Sequence, residues 1–442
     1  MKLDELKQIL HQSGVVGAGG AGFPDYQKLT DKAEIIIMNC AECEPLLKLH
    51  RQMLQYHAAE IMEMFDIMAK TLGAKEAIIG VKRSYRETIA ALKKHIDQYP
   101  EMRIFELEEV YPMGDEVILI YEATGRVVRP GGLPIEQGVA VFNVETIFNV
   151  YRSVDRQKPV CSKYVTVVGE VEQPVTVKVP LGTDLDEVVA QAGRKTMDDA
   201  VYFVGGPMMG RIGQGSDPVT KTTNAILVLP KDHPIITKKN RSSSIDLKRA
   251  ASICCQCNTC TDMCPRHNLG HPIDPARFMR AAANGDFQDM NPYVNAAFCC
   301  SCGVCEMFAC PQSLAPRTLL LDMKNGLRKN GIRPPQGVEA KPVPKDRDYR
   351  KVPEGRLESR LGLSKYNKPA PYSDNLICVP RVKIPRSRHI GVPAIPIVKI
   401  GDKVERFDMI AKPAEGLSVG IHASINGVIT KVTDQYVEIT AE

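Results

Sequence analysis

The sequence contains no tryptophan, and its few tyrosines and phenylalanines are nowhere interleaved with a dense basic stretch. Without that pairing, and with a formal net charge of only +5 over 442 residues, nucleic acid is excluded as the natural partner. A balance this weak suits at most the docking of an acidic protein. Long apolar runs are missing too, and a membrane-spanning helix needs about 18 such residues in a row. Stretches such as Ile35–Met38 and Val117–Tyr121 are strand-sized. The opening MKLDELKQILHQSG has Asp4 and Glu5 where a secretion signal carries basic residues, and no apolar core follows. The expectation is a cytoplasmic chain with no transmembrane segment.

What is present is the composition of a soluble globular protein, 44% apolar and 25% charged, at a length that predicts three or four domains. Ten of the 14 cysteines fall in two tight knots. Disulfide geometry cannot pair neighbours that close without strain, so metal ligation in a reduced compartment is the expectation.

The first knot reads ICCQCNTCTDMCPRH. Its Cys254, Cys257, Cys260 and Cys264 form C-x2-C-x2-C-x3-C-P, the spacing of bacterial [4Fe–4S] ferredoxins. Three cysteines spaced by three wrap one corner of a cubane, and the fourth, followed by Pro265, leads into a helix and reaches the other cluster. The second knot, FCCSCGVCEMFACPQ, repeats the pattern with Cys299, Cys302, Cys305 and Cys310, with four residues instead of three before the final Cys-Pro. By the ferredoxin crossover, Cys254, Cys257, Cys260 and Cys310 hold one cluster. Cys299, Cys302, Cys305 and Cys264 hold the other. A pair of zinc sites would use two CxxC pairs separated by a loop, a poorer match. Cys255 and Cys300 have no ligand slot and read as small buried side chains, with a register shift by one as the alternative.

VVGAGGAGFP holds Gly17, Gly19, Gly20 and Gly22 and matches G-x-G-x-x-G, but the Rossmann reading fails on context. That motif leaves a strand, whereas Leu3, Leu6, Ile9 and Leu10 have helical spacing, and Pro24 follows almost at once. The loop still offers close backbone approach and free N–H groups for a phosphate or a flat ring, with Lys28 as a counter-charge.

GAGGAGFP is followed by NCAECEP (Asn39–Pro45), YPMGDE (Tyr111–Glu116) and FNVET (Phe142–Thr146). In that order the four segments resemble the flavin-binding core of the NADH-oxidising subunit of respiratory complex I and of its counterpart in the Rnf complex. The resemblance implies an FMN cradle on which NADH stacks. The matching positions are Gly17, Gly19, Gly20, Gly22, Phe23, Lys28, Asn39, Glu42, Glu44, Gly114, Asp115, Glu116, Asn143 and Thr146. Ala41 stands where the complex I pattern has Asp, and Cys40 and Cys43 replace small residues; both cysteines are expected to pack beside the flavin. A flavin also follows from electron arithmetic, because a nicotinamide delivers two electrons together and clusters accept one at a time.

The remaining pattern is multidomain, α/β and α+β. Around the flavin segments, Lys48–Leu72 is amphipathic, Ala77–Val81 and Arg103–Leu107 read as strands, and Glu87–Gln98 as a helix. His50, His57 and His95 read as surface or core residues. Lys163–Pro230 resembles an SLBB domain, a β-grasp variant, with a glycine turn at Gly205–Gly210; spacer and ligand-binding roles both stay open. The C-terminal segment resembles a lipoyl-type barrel-sandwich hybrid. No lysine stands at its tip, Pro413–Val419, so no attached cofactor is expected. The expected divisions are a flavin- and NADH-binding α/β domain over 1–155, SLBB over 156–235 and a helical two-cluster ferredoxin module over 240–335. An extended, proline- and charge-rich linker follows over 336–375, and the barrel over 376–442.

In the Rnf counterpart the barrel precedes the flavin-type domain; here it comes last. That order resembles the cobalamin reductases of propanediol-utilisation microcompartments. The resemblance implies NADH oxidation through FMN and two [4Fe–4S] clusters, with cobalamin reduced to cob(I)alamin. It also implies a cobalamin adenosyltransferase and a microcompartment shell protein as partners, and a place within a bacterial microcompartment. No residue is assignable to cobalt. The competing reading is a non-catalytic electron-relay component of a larger assembly, Rnf-like or associated with a shell.

Overall fold

Helix α1 (Leu3–Ser13) buries Leu6 and Leu10 and stops at Gly14, whose φ of 74° only glycine adopts freely. A helix therefore precedes the glycine loop, which a bridge between Val16 and Pro24 closes. The computed structural model describes residues 1–387 and 389–442. Strand β1 (Ile35–Cys40) leads through α2 (Leu49–Tyr56) and α3 (Ala58–Leu72) to β2 (Glu76–Lys82), then α4 (Arg86–Lys93) and β3 (Met102–Leu107). A short β4 (Val110–Tyr111), α5 (Glu116–Thr124), β5 (Val139–Asn143) and α6 (Val144–Val154) complete the domain. The sheet is parallel in the order β3-β2-β1-β5. Along β1, Ile36 and Met38 face α3 and α6 while Ile35 and Ile37 face α5, so the strand is apolar without alternation.

Two local expectations change. The amphipathic stretch Lys48–Leu72 breaks at His57, whose φ of −125° ends α2 and whose ring stacks on Phe148 at 4.5 Å. Val117–Tyr121, strand-sized by length, is helical because Asp115 caps it, accepting from the N–H groups of Val117 and Ile118, and Gly125 ends it. An apolar run buried on all sides carries no period to distinguish the two states.

The next sheet has the order β12-β7-β6-β10-β8-β9. Its strands are β6 (Ser162–Gly169), β7 (Val175–Pro180), β8 (Ala200–Val204), β9 (Arg211–Gly213) and β10 (Ala225–Pro230), with α7 (Leu185–Ala190) packed on one face. The sixth strand comes from the segment expected to be a linker. Residues 336–375 form β11 (Val352–Pro353), which pairs with β4, and an α-helix, Glu354–Arg360; β12 (Tyr372–Leu376), beginning inside the segment, pairs parallel with β7. Leu357, Leu361, Leu363 and Tyr366 are buried there, so a few well-spaced apolar side chains make a charged segment a strap across two domains.

The cysteine knots sit among short helices whose core is built on Phe278, Met279, Tyr293 and Leu320. The chain ends in two small sheets around Val382, Ile410, Ile429 and Val437. This barrel is docked rather than free: Gly420 N–H donates to the His11 carbonyl at 3.0 Å, Ile390 N–H to the Gly22 carbonyl at 3.3 Å, and Ser424 Oγ to the Leu181 carbonyl at 2.6 Å. Among the described residues, no helix is long and apolar enough to cross a membrane.

Candidate flavin cavity and thiol rings

The glycine loop is shaped from outside itself. Gly17 N–H donates to the Phe23 carbonyl at 2.8 Å, while the Ala18 peptide is gripped on both sides. Its N–H donates to Thr146 Oγ1 at 2.9 Å, and its carbonyl accepts from Lys163 Nζ at 3.1 Å. Lys163 is fully buried and ion-paired to Glu145, itself buried at the start of α6. The loop thus depends on a buried charge pair from two different domains.

Inside this frame lies a cavity of about 660 Å³, within the range of cofactor sites. Every residue that the complex I resemblance singles out lines it, except Gly22, whose carbonyl instead receives the barrel's Ile390 N–H. Lys28 reaches the Val141 carbonyl at 3.2 Å and lies 3.7 Å from Glu116. Asn143 caps α6 and shares a 3.2 Å hydrogen bond with the buried His50. Glu42 points its carboxylate at the start of α2, accepting from His50 N–H at 2.8 Å. Asn39 donates to the Gly114 carbonyl at 3.0 Å, and Gly114 N–H donates to Cys43 Sγ at 3.3 Å. Cys43 therefore packs in the cavity wall, whereas Cys40 is sealed in the core behind it.

Glu44 joins two domains. Its carboxylate accepts from the N–H groups of Met208 and Met209 at 2.9 and 3.0 Å, holding the SLBB glycine turn against the cavity with Met209 in its wall. Burial raises the Glu44 carboxyl to about 7 despite those donors.

The cavity suits a flavin nucleotide on two counts. A Cβ added at Gly20 would meet nothing within 4 Å, so the loop's backbone faces open space. Two lining atoms, Asp25 Oδ2 and Asn224 Oδ1, are buried with no hydrogen-bond partner among the described residues, and burial pushes the Asp25 carboxyl up to about 6. Such orphaned polar atoms suit a ligand with its own donors. Asn224, Asp25 and His50 lie outside every motif in the sequence, and only their neighbourhood in the fold reveals them.

All fourteen cysteines are free. Cys254, Cys257, Cys260 and Cys310 ring one small void; Cys264, Cys299, Cys302 and Cys305 ring another. Each ring takes three thiols from one knot and one from the other. Among the described residues, no three His, Cys, Asp or Glu side chains close on a single ion. The thiols stand around a space instead, as ligands to four separate irons of a cubane must. Arg266 and Arg317 line the second void, where they would offset the charge of a tetrathiolate cluster. Cys255, expected to be buried, is exposed, because the loop carrying it turns outward at Gln256, φ 53°.

The second ring abuts the cavity. Cys300 and Cys302 line both spaces, and Tyr111 donates from its hydroxyl to the Cys302 carbonyl at 2.7 Å. Arg266, beside Cys264, pairs with Asp115 at 2.9 Å. The cavity and the second ring share a wall, and two hydrogen-bonded contacts hold it.

Family models match all four parts of the chain. Residues 10–152 match the Nuo51 FMN-binding domain, 164–212 the SLBB domain, 253–315 a 4Fe-4S dicluster domain, and 374–442 the RnfC barrel sandwich hybrid domain. Cobalamin reductase PduS of Salmonella typhimurium is 39% identical, across 99% of this chain and 97% of its own length. The Citrobacter freundii protein of the same name is 37% identical, across 98% and 96%. One component of the Na(+)-translocating ferredoxin:NAD(+) oxidoreductase complex of Acetobacterium woodii is 32% identical over 60% of this chain and 59% of its own. In fold, the chain is similar to a chain of an NAD+-reducing [NiFe]-hydrogenase, with TM-score 0.50 and 21% identity over 76% of this chain and 63% of that one.

Proposed function

The chain belongs to the family of the cobalamin reductase PduS, and from that premise we propose that it oxidises NADH and reduces a cobalamin to the cob(I) state by way of FMN and two [4Fe–4S] clusters. FMN would be held in the 660 Å³ cavity by the glycine loop, Lys28, Asn39, Glu42, Glu44, Gly114–Glu116, Asn143 and Thr146. The clusters would be held by the two crossed thiol rings. Bound there, a flavin accepts electrons in pairs from a nicotinamide and releases them singly to clusters.

The chain's own residues do the rest. Lys163 and Thr146 fix the Ala18 peptide, so the loop keeps its free N–H groups turned toward an anionic ligand. Lys28 adds positive potential at that edge, and Phe23 with Phe142 supplies apolar wall for a flat ring. Glu44 holds Met209 in the cavity wall, which limits water around the reacting edge. Tyr111 and Arg266 keep the second knot against the cavity. The observation that carries this reading is the wall of Cys300 and Cys302, common to the cavity and the second ring. A reductase needs that adjacency.

Cob(I)alamin is so strong a reductant that its removal must help drive its formation. A cobalamin adenosyltransferase partner would do this, and a shell-protein partner and a microcompartment location belong to the same reading. Co-purification with those proteins checks this part.

The central test is anaerobic purification, assay of bound flavin and iron, then addition of NADH followed by oxidised cobalamin. Bleaching of both chromophores and then the cob(I) spectrum is the expected result. Clusters that NADH cannot reduce, even after FMN is supplied, would leave an electron relay instead.

A further inference from the structure

We propose that electrons enter the two-cluster module at the ring of Cys264, Cys299, Cys302 and Cys305 and leave it at the ring of Cys254, Cys257, Cys260 and Cys310. The exposed loop Cys255–Asn258 is then the face presented to the one-electron acceptor. This rests on the flavin and cluster reading above and adds to it a direction and a point of exit.

The two rings differ in their surroundings. The second is enclosed, with Cys302 and Cys305 buried and Val304 between them fully so. The cavity wall lies on one side of it. On another, a Cβ added at Gly303 would touch Met208 of the SLBB turn at 3.6 Å. Tyr111 closes a third side through its bond to the Cys302 carbonyl. The ring's other two thiols, Cys264 and Cys299, are half-buried, so no member of this ring is exposed.

The first ring has one exposed thiol, Cys257, beside three that are half-buried. Cys255, Gln256, Cys257 and Asn258 are all exposed, and Ile253 beside them is 43% exposed. Gln256 and Asn258 have φ of 53° and 60°, and this double reversal thrusts the loop outward. Asn258 is braced from behind by Arg280 at 2.8 Å, so the projection is held by side-chain contacts. The rings are joined directly, because the helical turn Thr259–Asp262 packs on Cys305–Ala309, and Cys264 and Cys310 exchange places between them.

Electron tunnelling falls off exponentially with distance. The order cavity, second ring, first ring, surface joins neighbours at every step, through the shared wall and the packed knots. It also separates donor from acceptor, so each docks without displacing the other. The balance is simple: NADH gives up two electrons and becomes NAD+ with release of a proton. Two acceptor equivalents then each take one electron at the Cys255–Asn258 edge.

The test uses the full chain, anaerobically, with NADH as donor and hydroxocobalamin as acceptor probe. C257A and C305A are each assayed for iron, for flavin bleaching by stopped flow, and for cluster reduction by freeze-quench EPR. In C257A, NADH should still bleach the flavin and reduce the remaining cluster at the wild-type rate, while cobalamin reduction falls more than tenfold. In C305A the flavin should bleach, but the remaining cluster should stay oxidised on the same timescale. The reverse pattern, or full cobalamin reduction by C257A, overturns the proposal.

Q256W keeps every thiol and adds bulk at the edge. It should leave cluster reduction by NADH unchanged and slow cobalamin reduction several-fold; an unchanged rate overturns the placement of the exit. Failure of the underlying ligand reading looks different. Iron content would then stay at the wild-type value in C257A or C305A.

Discussion

Lys163, buried in the first strand of the SLBB domain, donates to the carbonyl of Ala18 in the glycine loop, 145 positions earlier in the chain, at 3.1 Å. Its ammonium is also paired with the buried carboxylate of Glu145. Replacing it with methionine keeps the volume but leaves Glu145 as an uncompensated buried charge. K163M should lose about 3–5 kcal/mol of stability, the usual cost of breaking a buried pair from one side. Replacing both partners (K163M with E145Q) should recover much of that loss, because no unpaired charge remains. Neither variant restores the grip on Ala18, so both should bind FMN more weakly than the parent. Chemical denaturation and flavin titration separate the two effects.

Glu44 makes the junction between the flavin-type and SLBB domains sensitive to pH. Its carboxyl is raised by burial from 4.5 to about 7, so the folded protein holds this proton more tightly than the unfolded chain does. A group of that sign stabilises at low pH, and its contribution is lost as pH rises from about 4.5 through about 7. The wild type should therefore lose on the order of 2–3 kcal/mol relative to E44Q across that window. The pH dependence of the denaturation midpoint for the two proteins measures it. Parallel curves would show that solvent reaches Glu44 freely.

What the sequence made legible follows from how local each interaction is. The thiol rings were readable because their cysteines lie three to five residues apart within each knot. Most of the cavity's lining was readable because four short segments occur in the order of the complex I resemblance, although its shape also depends on parts without motifs. Asn224 and His50 have nothing to mark them, and nothing in the sequence brings Lys163 to Glu145. Val117–Tyr121 misled because an apolar run buried on every side carries no period. The segment 336–375 looked like a linker because proline and charge dominate it. Leu357, Leu361, Leu363 and Tyr366 are enough to anchor it, and a composition average conceals them.

Arg266 and Asp115 form a charge pair at 2.9 Å between the cavity and the second ring. The guanidinium lines the ring's void, where it favours an added electron, since reduction makes a cluster more negative. R266Q should shift the potential of that cluster negative, on the order of tens of millivolts, with little change in the other. Redox titration monitored by EPR resolves the two. An equal shift in both would place the effect on the whole module instead. The variant should also slow transfer out of the flavin, since the first acceptor becomes harder to reduce.

Cys264 tests the crossed ligand sets most sharply, because it lies in one knot's sequence and the other knot's ring. If the rings are the ligand sets, C264A removes the cluster that depends on Cys299, Cys302 and Cys305 and spares the one beside Cys257. Iron should fall from about eight to about four per chain, as for loss of a single cubane. The surviving EPR signal should match that of C305A and differ from that of C257A. If each knot instead closed its own cluster, C264A would match C257A. The comparison needs no assumption about donor or acceptor, since dithionite can reduce the surviving cluster in all three variants. Arg266 sits two residues beyond Cys264, so loss of this ligand should also loosen its pair with Asp115. FMN affinity in C264A should therefore drop modestly while C257A keeps the parent value, which equilibrium flavin titration of the two would reveal.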